Sequence, residues 1–119
     1  MRILIASALV LNISFAAVVD DYLASLKQEA LKTDSTFKAF DAKKGEEIFK
    51  SKHIGKKEKE ISCESCHTTN LANSGENIFT GKTIDPLSPK ANPKRLTDVA
   101  EIEKWLKRNF NDVYNREGT

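Results

Sequence analysis

Two cysteines and a histidine stand close together near the middle of this 119-residue chain. They form the run Cys63-Glu64-Ser65-Cys66-His67, and the chain contains no other cysteine. Two thiols three positions apart can add to the two vinyl groups of one porphyrin, and the adjacent imidazole then lies beneath the iron as an axial ligand. This spacing is the C-x-x-C-H pattern of c-type haem attachment. We therefore predict one haem c, covalently held by Cys63 and Cys66, with His67 as the proximal iron ligand.

Three other uses of the motif fit the sequence less well. A disulfide across two intervening residues closes a very small loop and would stabilise little. A thioredoxin-like dithiol requires a strand before it and a helix after it within an α/β pattern, which this sequence lacks. A zinc site requires four ligands, and beyond the motif the only other histidine is His53.

The ligand on the other side of the iron is restricted by the absence of methionine. The only methionine is Met1, which lies in a predicted signal peptide, so the mature chain cannot complete His/Met ligation. The remaining possibilities for the second axial position are another histidine, a weak oxygen or nitrogen donor, or no protein ligand. His53 is the only candidate for bis-His ligation, although a histidine in so hydrophilic a stretch is more often a loop residue without a ligand role.

Asn109 is the other candidate for this position. Helical spacing places Asn109 in one stripe with four apolar residues, which are Ile102, Trp105, Leu106 and Val113. The stripe should face inwards, and a buried amide needs a partner. An amide over the haem can place its oxygen on the iron. On this pattern alone, however, a core asparagine bonded to a backbone carbonyl, or a surface residue on a shifted register, is the commoner case.

The amino terminus has the features of a secretory signal. Arg2 precedes the almost wholly apolar residues 3–15, and small residues follow up to Ala16. We predict a signal peptide over residues 1–16 and one monohaem cytochrome c domain over residues 17–119, exported to the periplasm. The apolar core is too short to span a bilayer, so no stable membrane anchor is expected.

The charge balance of the mature chain excludes nucleic-acid binding as the expected function. Without Arg2 the chain has 18 basic and 17 acidic residues, finely mixed. This mixture provides no basic stripe for nucleic acid. A chain of this size buries only a modest core, and a haem would supply a large apolar body around which it could fold.

Helices are expected to position the motif. Apolar periodicity predicts an amphipathic helix over residues 18–32. A second helix should run from an N-cap at Asp41 to about Lys52, with Ile48 and Phe49 on its inner face. A third should begin at the capping-box run 98–101 and end near Val113.

The segments between these helices are predicted to be loops. Residues 53–61 are highly charged, and residues 68–96 lack periodicity and contain three prolines. A loop as long as 68–96 usually has a function, and we expect it to wrap the haem edge with Leu87 against the porphyrin. No strand alternation is present. The predicted fold class is therefore all-α, a small class I-like cytochrome c fold with long haem-wrapping loops.

Several parts of this sequence resemble the sphaeroides haem protein family, a family of small oxygen-binding c-type cytochromes. The similar parts are the haem motif and residues 45–49, 81–89, 92–98 and 103–109. The resemblance implies that Asn109, at the end of the Trp-Leu-Lys-Arg-Asn run, is the distal iron ligand of the oxidised protein. It also implies that this asparagine leaves the iron on reduction and that a dihaem cytochrome c is the redox partner.

Two departures from the family pattern are evident. The family often has a cysteine immediately after the ligand asparagine, forming a disulfide, whereas this chain has Phe110. The family also ends in a further helix packed on the amino-terminal one, whereas this sequence stops at Thr119.

The expected function is the exchange of one electron and the binding of small diatomic ligands, oxygen or nitric oxide. The alternative is a plain electron carrier with a closed low-spin haem, held by His53 or another residue. An enzyme that turns over oxygen or nitric oxide needs the same open iron, and the sequence does not separate it from the first function.

Overall fold

The computed structural model describes residues 16–116. The predicted signal peptide, residues 1–16, therefore lies outside the described residues except for Ala16. The described helices are α1 (Ala16–Thr33), α2 (Ala42–Lys50), the single turn α3 (Glu64–His67) and α4 (Val99–Tyr114). None of the helices in this range is long and apolar enough to cross a membrane.

Helix α1 packs against α4. The half-buried residues of α1 recur at intervals of three and four, and they include Val19, Tyr22, Leu26 and Ala30. Burial, followed by the negative charge of Glu103 on α4, raises the pKa of Tyr22, because both disfavour the phenolate. The predicted first helix is confirmed, but Leu23, which belongs to the same apolar pattern, is 42% exposed.

Asp41 caps α2 as predicted. Its Oδ1 accepts hydrogen bonds from the backbone N–H groups of Lys43 (2.9 Å) and Lys44 (3.1 Å). The helix ends at Lys50 because the next residue is extended. Phe49 is half-buried, whereas Ile48, which was predicted to share its inner face, is 52% exposed in the polypeptide alone. The two side chains point about 100° apart around the helix, and only that of Phe49 is directed towards α3.

The charged segment 53–61 is a β-hairpin, which corrects the prediction of a loop. Strands β1 (His53–Ile54) and β2 (Glu60–Ile61) are antiparallel. Lys57 and Glu58 between them both have left-handed backbones, with φ of 57° and 54°, as in a type I′ turn. Such turns usually contain Asn-Gly, so Lys-Glu gave no hairpin signal. The hairpin buries Ile61, which is 1% exposed.

The hairpin is fixed against the carboxyl end of α4. A Cβ atom at Gly55 would overlap the Asp112 carbonyl oxygen and lie 2.7 Å from that of Val113, so only glycine fits there. Lys56 Nζ lies 3.4 Å from Asp112 Oδ1. Because β2 leads directly into Cys63, this contact also fixes the start of the cysteine motif.

Residues 68–96 consist mainly of turns, with one short two-stranded sheet. Strands β3 (Gly75–Glu76) and β4 (Thr83–Ile84) pair antiparallel. Between them Asn77 Oδ1 accepts hydrogen bonds from the N–H groups of Phe79 (2.9 Å) and Thr80 (3.1 Å). The mainly helical class is confirmed, and residues 16–116 also contain two small sheets that the sequence did not predict.

Asp98 caps α4, because its Oδ1 accepts a hydrogen bond from Glu101 N at 3.3 Å. The predicted capping box is only half formed. The Glu101 carboxylate accepts hydrogen bonds from Lys104 Nζ and from Trp105 Nε1, each at 3.0 Å, rather than from the Asp98 backbone.

The predicted inward-facing stripe of α4 is only partly buried. Val113 is 5% exposed, and Ile102 and Asn109 are half-buried. Trp105 and Leu106 are 43% and 46% exposed, so the packing of the polypeptide alone does not bury them. The bond from the Trp105 indole to Glu101 holds the ring along the surface of its own helix.

Candidate haem-attachment site

The turn α3 brings the predicted attachment residues together. Cys63 has a helical backbone, and its carbonyl oxygen accepts hydrogen bonds from Cys66 N (3.3 Å) and His67 N (3.1 Å). Residues three and four positions apart lie on one face of a helix, so both thiols and the imidazole share a face. Ser65 Oγ accepts a hydrogen bond from Ser62 N at 2.9 Å and fixes the start of the turn. Both thiols are free and half-buried.

Burial affects the protonation of Cys63 and His67, the first and last residues of the motif. It raises the pKa of the Cys63 thiol, which keeps this group in its neutral form at neutral pH. Burial, followed by the positive charge of Arg95, lowers the pKa of His67, so that its imidazole is neutral as well. Only a neutral imidazole has a nitrogen lone pair to give to a metal. His67 is therefore in the state that an iron ligand requires.

Three residues outside the motif lie next to His67. The Phe49 ring centroid lies 6.1 Å from that of His67. A Cβ atom at Gly75 would overlap the Cys66 carbonyl oxygen and lie 3.1 Å from His67 Cα, so β3 can approach the motif only through glycine. Thr68 has φ 67° and ψ 174°, a conformation that costs a β-branched residue strain. Sequence reasoning identified none of these roles, and the glycine in an aperiodic segment was their only signal.

Asn109 lies on α4, where it is half-buried. Its side-chain amide has no hydrogen-bond partner within residues 16–116. The backbone carbonyl partner that the sequence pattern also allowed is therefore not found among the described residues. A half-buried amide that has no hydrogen-bond partner can still bind a further group.

His53 has partners of its own in the hairpin. Its Nε2 lies 2.8 Å from Ser51 Oγ, and its ring centroid lies 4.2 Å from that of Tyr114. Phe110 stacks on the other side of this pair, with its ring 5.2 Å from that of Tyr114. Phe110, which stands where the resembling family often has cysteine, thus belongs to an aromatic stack that joins α4 to the hairpin.

Apolar side chains are exposed on several segments of the described chain. They lie on α2, on the segment after α3 and on α4, and each is 37% to 52% exposed: Ile48, Leu71, Leu96, Trp105 and Leu106. Such surfaces fit the large apolar faces of a porphyrin. Two thiols on one helix face and one neutral imidazole are the groups that haem c requires, so the residues present fit this cofactor. Leu87 is half-buried, and its predicted contact with the porphyrin stays a prediction.

Comparison with known families places the chain among c-type cytochromes. Residues 35–119 match the model of a domain of unknown function, DUF1924. Cytochrome c-type protein SHP of Cereibacter sphaeroides is 44% identical over 79 residues, which cover 66% of this chain and 60% of the relative. Cytochrome c'' of Methylophilus methylotrophus is 51% identical over 55 residues, 46% of this chain and 38% of the relative. These matches span less than two thirds of either curated relative.

The solved structures of the same two proteins share the fold. The crystal structure of oxidised cytochrome c'' superposes with a TM-score of 0.75 at 32% identity, covering 87% of this chain and 84% of the other. Oxidised SHP, described as an oxygen-binding cytochrome c, gives 0.67 at 36% identity, with 89% and 85% covered. A solution structure of cytochrome c'', which concerns the structural basis of haem-ligand detachment, gives 0.73 at 31% identity, with 88% and 84% covered.

Proposed function

The chain belongs to the DUF1924 family and is a relative of SHP and cytochrome c'', and from this premise we propose that it is a monohaem c-type cytochrome that binds small diatomic ligands. Its cofactor is one covalent haem c. Cys63 and Cys66 form the thioether links and His67 is the proximal ligand. The observation that carries the proposal is the turn α3, which presents both thiols and a neutral imidazole on one face.

When bound, the haem supplies one-electron redox chemistry and a coordination position for an exogenous ligand. The residues of this chain hold and orient it. The Gly75 contact and the Phe49 ring restrict the position of His67. When the haem is bound, the exposed apolar side chains of α2 and α4 would cover it and keep water away from its faces.

On the opposite side of the iron we assign Asn109 as a displaceable distal ligand. Residues 17–119 contain no methionine, and the Asn109 amide is half-buried without another partner among the described residues. An amide oxygen is a weak neutral donor, whereas imidazole binds iron well. An asparagine in this position therefore allows oxygen or nitric oxide to compete after reduction. His53 is the less suitable ligand, because Ser51 and Tyr114 already engage its ring.

The optical spectrum of the purified, reduced protein with and without carbon monoxide tests this function. We expect carbon monoxide to shift the Soret band at micromolar concentrations, because a departing amide leaves the sixth position accessible. A reduced spectrum that is unchanged under saturating carbon monoxide would instead establish a closed haem and a plain electron carrier.

We further propose that the chain is exported and works in the periplasm, with a second cytochrome, possessing two haems, as its redox partner. Export is supported by the signal-like composition of residues 1–16, and the two-haem partner by the resemblance to the sphaeroides haem protein family. Mass spectrometry of the haem-bound protein from a two-membrane host should find an amino terminus near Ala17. A haem-bound chain that retains Met1 in the cytosolic fraction would contradict export.

A further inference from the structure

Thr68, the residue directly after His67, has an unusual backbone conformation. Its φ of 67° and ψ of 174° lie in a region that essentially only glycine occupies without strain. The strain is greatest for a β-branched side chain such as that of threonine. Thr68 also ends α3, and its N–H group donates a hydrogen bond to the Glu64 carbonyl oxygen at 2.9 Å. The last residue of the haem motif is therefore followed immediately by a strained residue.

The Thr68 hydroxyl holds this conformation in place. Its Oγ1 donates a hydrogen bond to the Asn70 carbonyl oxygen at 2.9 Å and accepts one from the Asn70 N–H group at 3.3 Å. Asn70 is itself fixed in a turn, because its Oδ1 accepts a hydrogen bond from Ala72 N at 3.0 Å and its carbonyl oxygen accepts one from Asn73 N at 2.9 Å. A strained backbone persists only where the surrounding structure holds it, and here the Thr68 hydroxyl provides that hold.

His67 is confined from two other directions as well. A Cβ atom at Gly75 would lie 3.1 Å from His67 Cα, so strand β3 closes one side of the His67 backbone. The Phe49 ring stands beside the imidazole, with 6.1 Å between the two ring centroids. The remaining direction is along the chain. There, the peptide group that joins His67 to Thr68 cannot rotate freely while the Thr68 hydroxyl stays bonded to Asn70.

Resting on the haem site and the diatomic-ligand function proposed above, we propose that Thr68 is a positioning residue that keeps His67 on the iron when nitric oxide binds on the opposite side. Nitric oxide weakens the bond between a ferrous haem iron and the ligand opposite to it. A histidine on a mobile backbone is then released with its nitrogen lone pair, so no electron or proton is transferred. A histidine whose backbone is held by Thr68 stays bonded, and only the distal position exchanges ligands.

Electron paramagnetic resonance of the haem-loaded ferrous protein under nitric oxide tests this role, because the nitrogen of a bound imidazole adds a second hyperfine splitting. We expect the wild type to retain His67. Thr68→Val keeps the shape of the side chain but lacks the hydroxyl. In this variant the ratio of His67-free to His67-bound protein should rise about tenfold, equivalent to about 1.4 kcal/mol. The haem content should not change, since the thioether links do not involve Thr68.

Two further variants separate this role from a general loss of packing. Thr69→Val makes the same change at the next residue, which is exposed and whose hydroxyl makes no hydrogen bond within residues 16–116. Its ratio should stay within about twofold of the wild type, because exposed substitutions have small effects. Thr68→Ser retains the hydroxyl, so its ratio should stay within about threefold of the wild type.

Any of four results would overturn the role of Thr68. They are a wild type that already releases His67, an unchanged ratio in Thr68→Val, an equal rise in Thr69→Val, and an equal rise in Thr68→Ser. If Thr68→Val does not accumulate with haem, Thr68→Ala serves as the variant without a hydroxyl. Wild type that lacks haem or fails to bind nitric oxide would instead refute the proposed function itself.

Discussion

The Cys63→Ser/Cys66→Ser double variant is expected to contain no covalently bound haem, where the wild type has one per chain. A serine hydroxyl cannot replace a thiol in forming a thioether to a porphyrin vinyl group. In the native chain the α3 turn holds both thiols on the same face. The turn is closed by a hydrogen bond of 3.3 Å from Cys66 N to the Cys63 carbonyl oxygen. The loss should be complete, because no other cysteine is available to form either link.

The measurement is the haem content of the protein after acid-acetone extraction, combined with the mass of the intact polypeptide. Glu64→Gln is the matched control, because it changes an intervening residue that carries no thiol, and it should retain the full haem content. Each single serine variant can retain at most one link. Haem that resists extraction in the double variant would disprove attachment through these cysteines.

Asn109→Ala is expected to leave haem attached but to open the ferric iron. If Asn109 is the distal ligand, as proposed, an added ligand must displace its amide in the wild type. The apparent affinity for the added ligand is then reduced in proportion to the fraction of protein whose sixth position is free. Removing the amide should therefore raise the affinity of the ferric protein for cyanide or imidazole by about tenfold or more, equivalent to about 1.4 kcal/mol. The ferric spectrum should change towards that of a water-ligated, high-spin haem.

Asn111→Ala is the matched control for this variant. It removes the same side chain from the same helix at an exposed position, so neither the spectrum nor the ligand affinity should change. Wild-type ferric spectra and affinities in Asn109→Ala would show that Asn109 is not the ligand. Conversion from low to high spin in His53→Ala would favour the closed bis-His haem.

The aromatic stack bears on how α4 is held against the hairpin. Phe110 and Tyr114 lie on the same helix as Asn109, and Tyr114 contacts His53 of the hairpin. His53→Ala therefore removes a packing contact of α4 even if this histidine is no ligand. For this reason the spin state of the haem, rather than stability, is the decisive readout in that variant.

Local interactions in this chain are predictable because the groups involved are neighbours along the sequence. The acidic caps at Asp41 and Asp98 bond to backbone N–H groups two to three residues ahead, so the starts of α2 and α4 were predicted correctly. The Cys63-Cys66-His67 spacing likewise determined the candidate cofactor, since three and four positions bring residues to one face of a single helical turn.

Contacts between distant segments were not predictable in this way. Lys57 and Glu58 carry no sequence signal for left-handed turn residues, and the hairpin they close packs against α4 through Gly55. The exposure of Trp105 likewise depends on which surface its helix meets, which periodicity alone does not specify.

The sequence by itself determined the chemistry of this protein: two thiols and one imidazole for a haem, and no methionine in residues 17–119 to close the iron. Only the tertiary structure decided which residues act on that chemistry from a distance. Gly75 approaches Cys66 across eight intervening residues, and Arg95 exerts its charge on His67 across 27. The physical reason is that steric contact and Coulomb interaction depend on separation in space, which the folded chain sets independently of separation along the sequence.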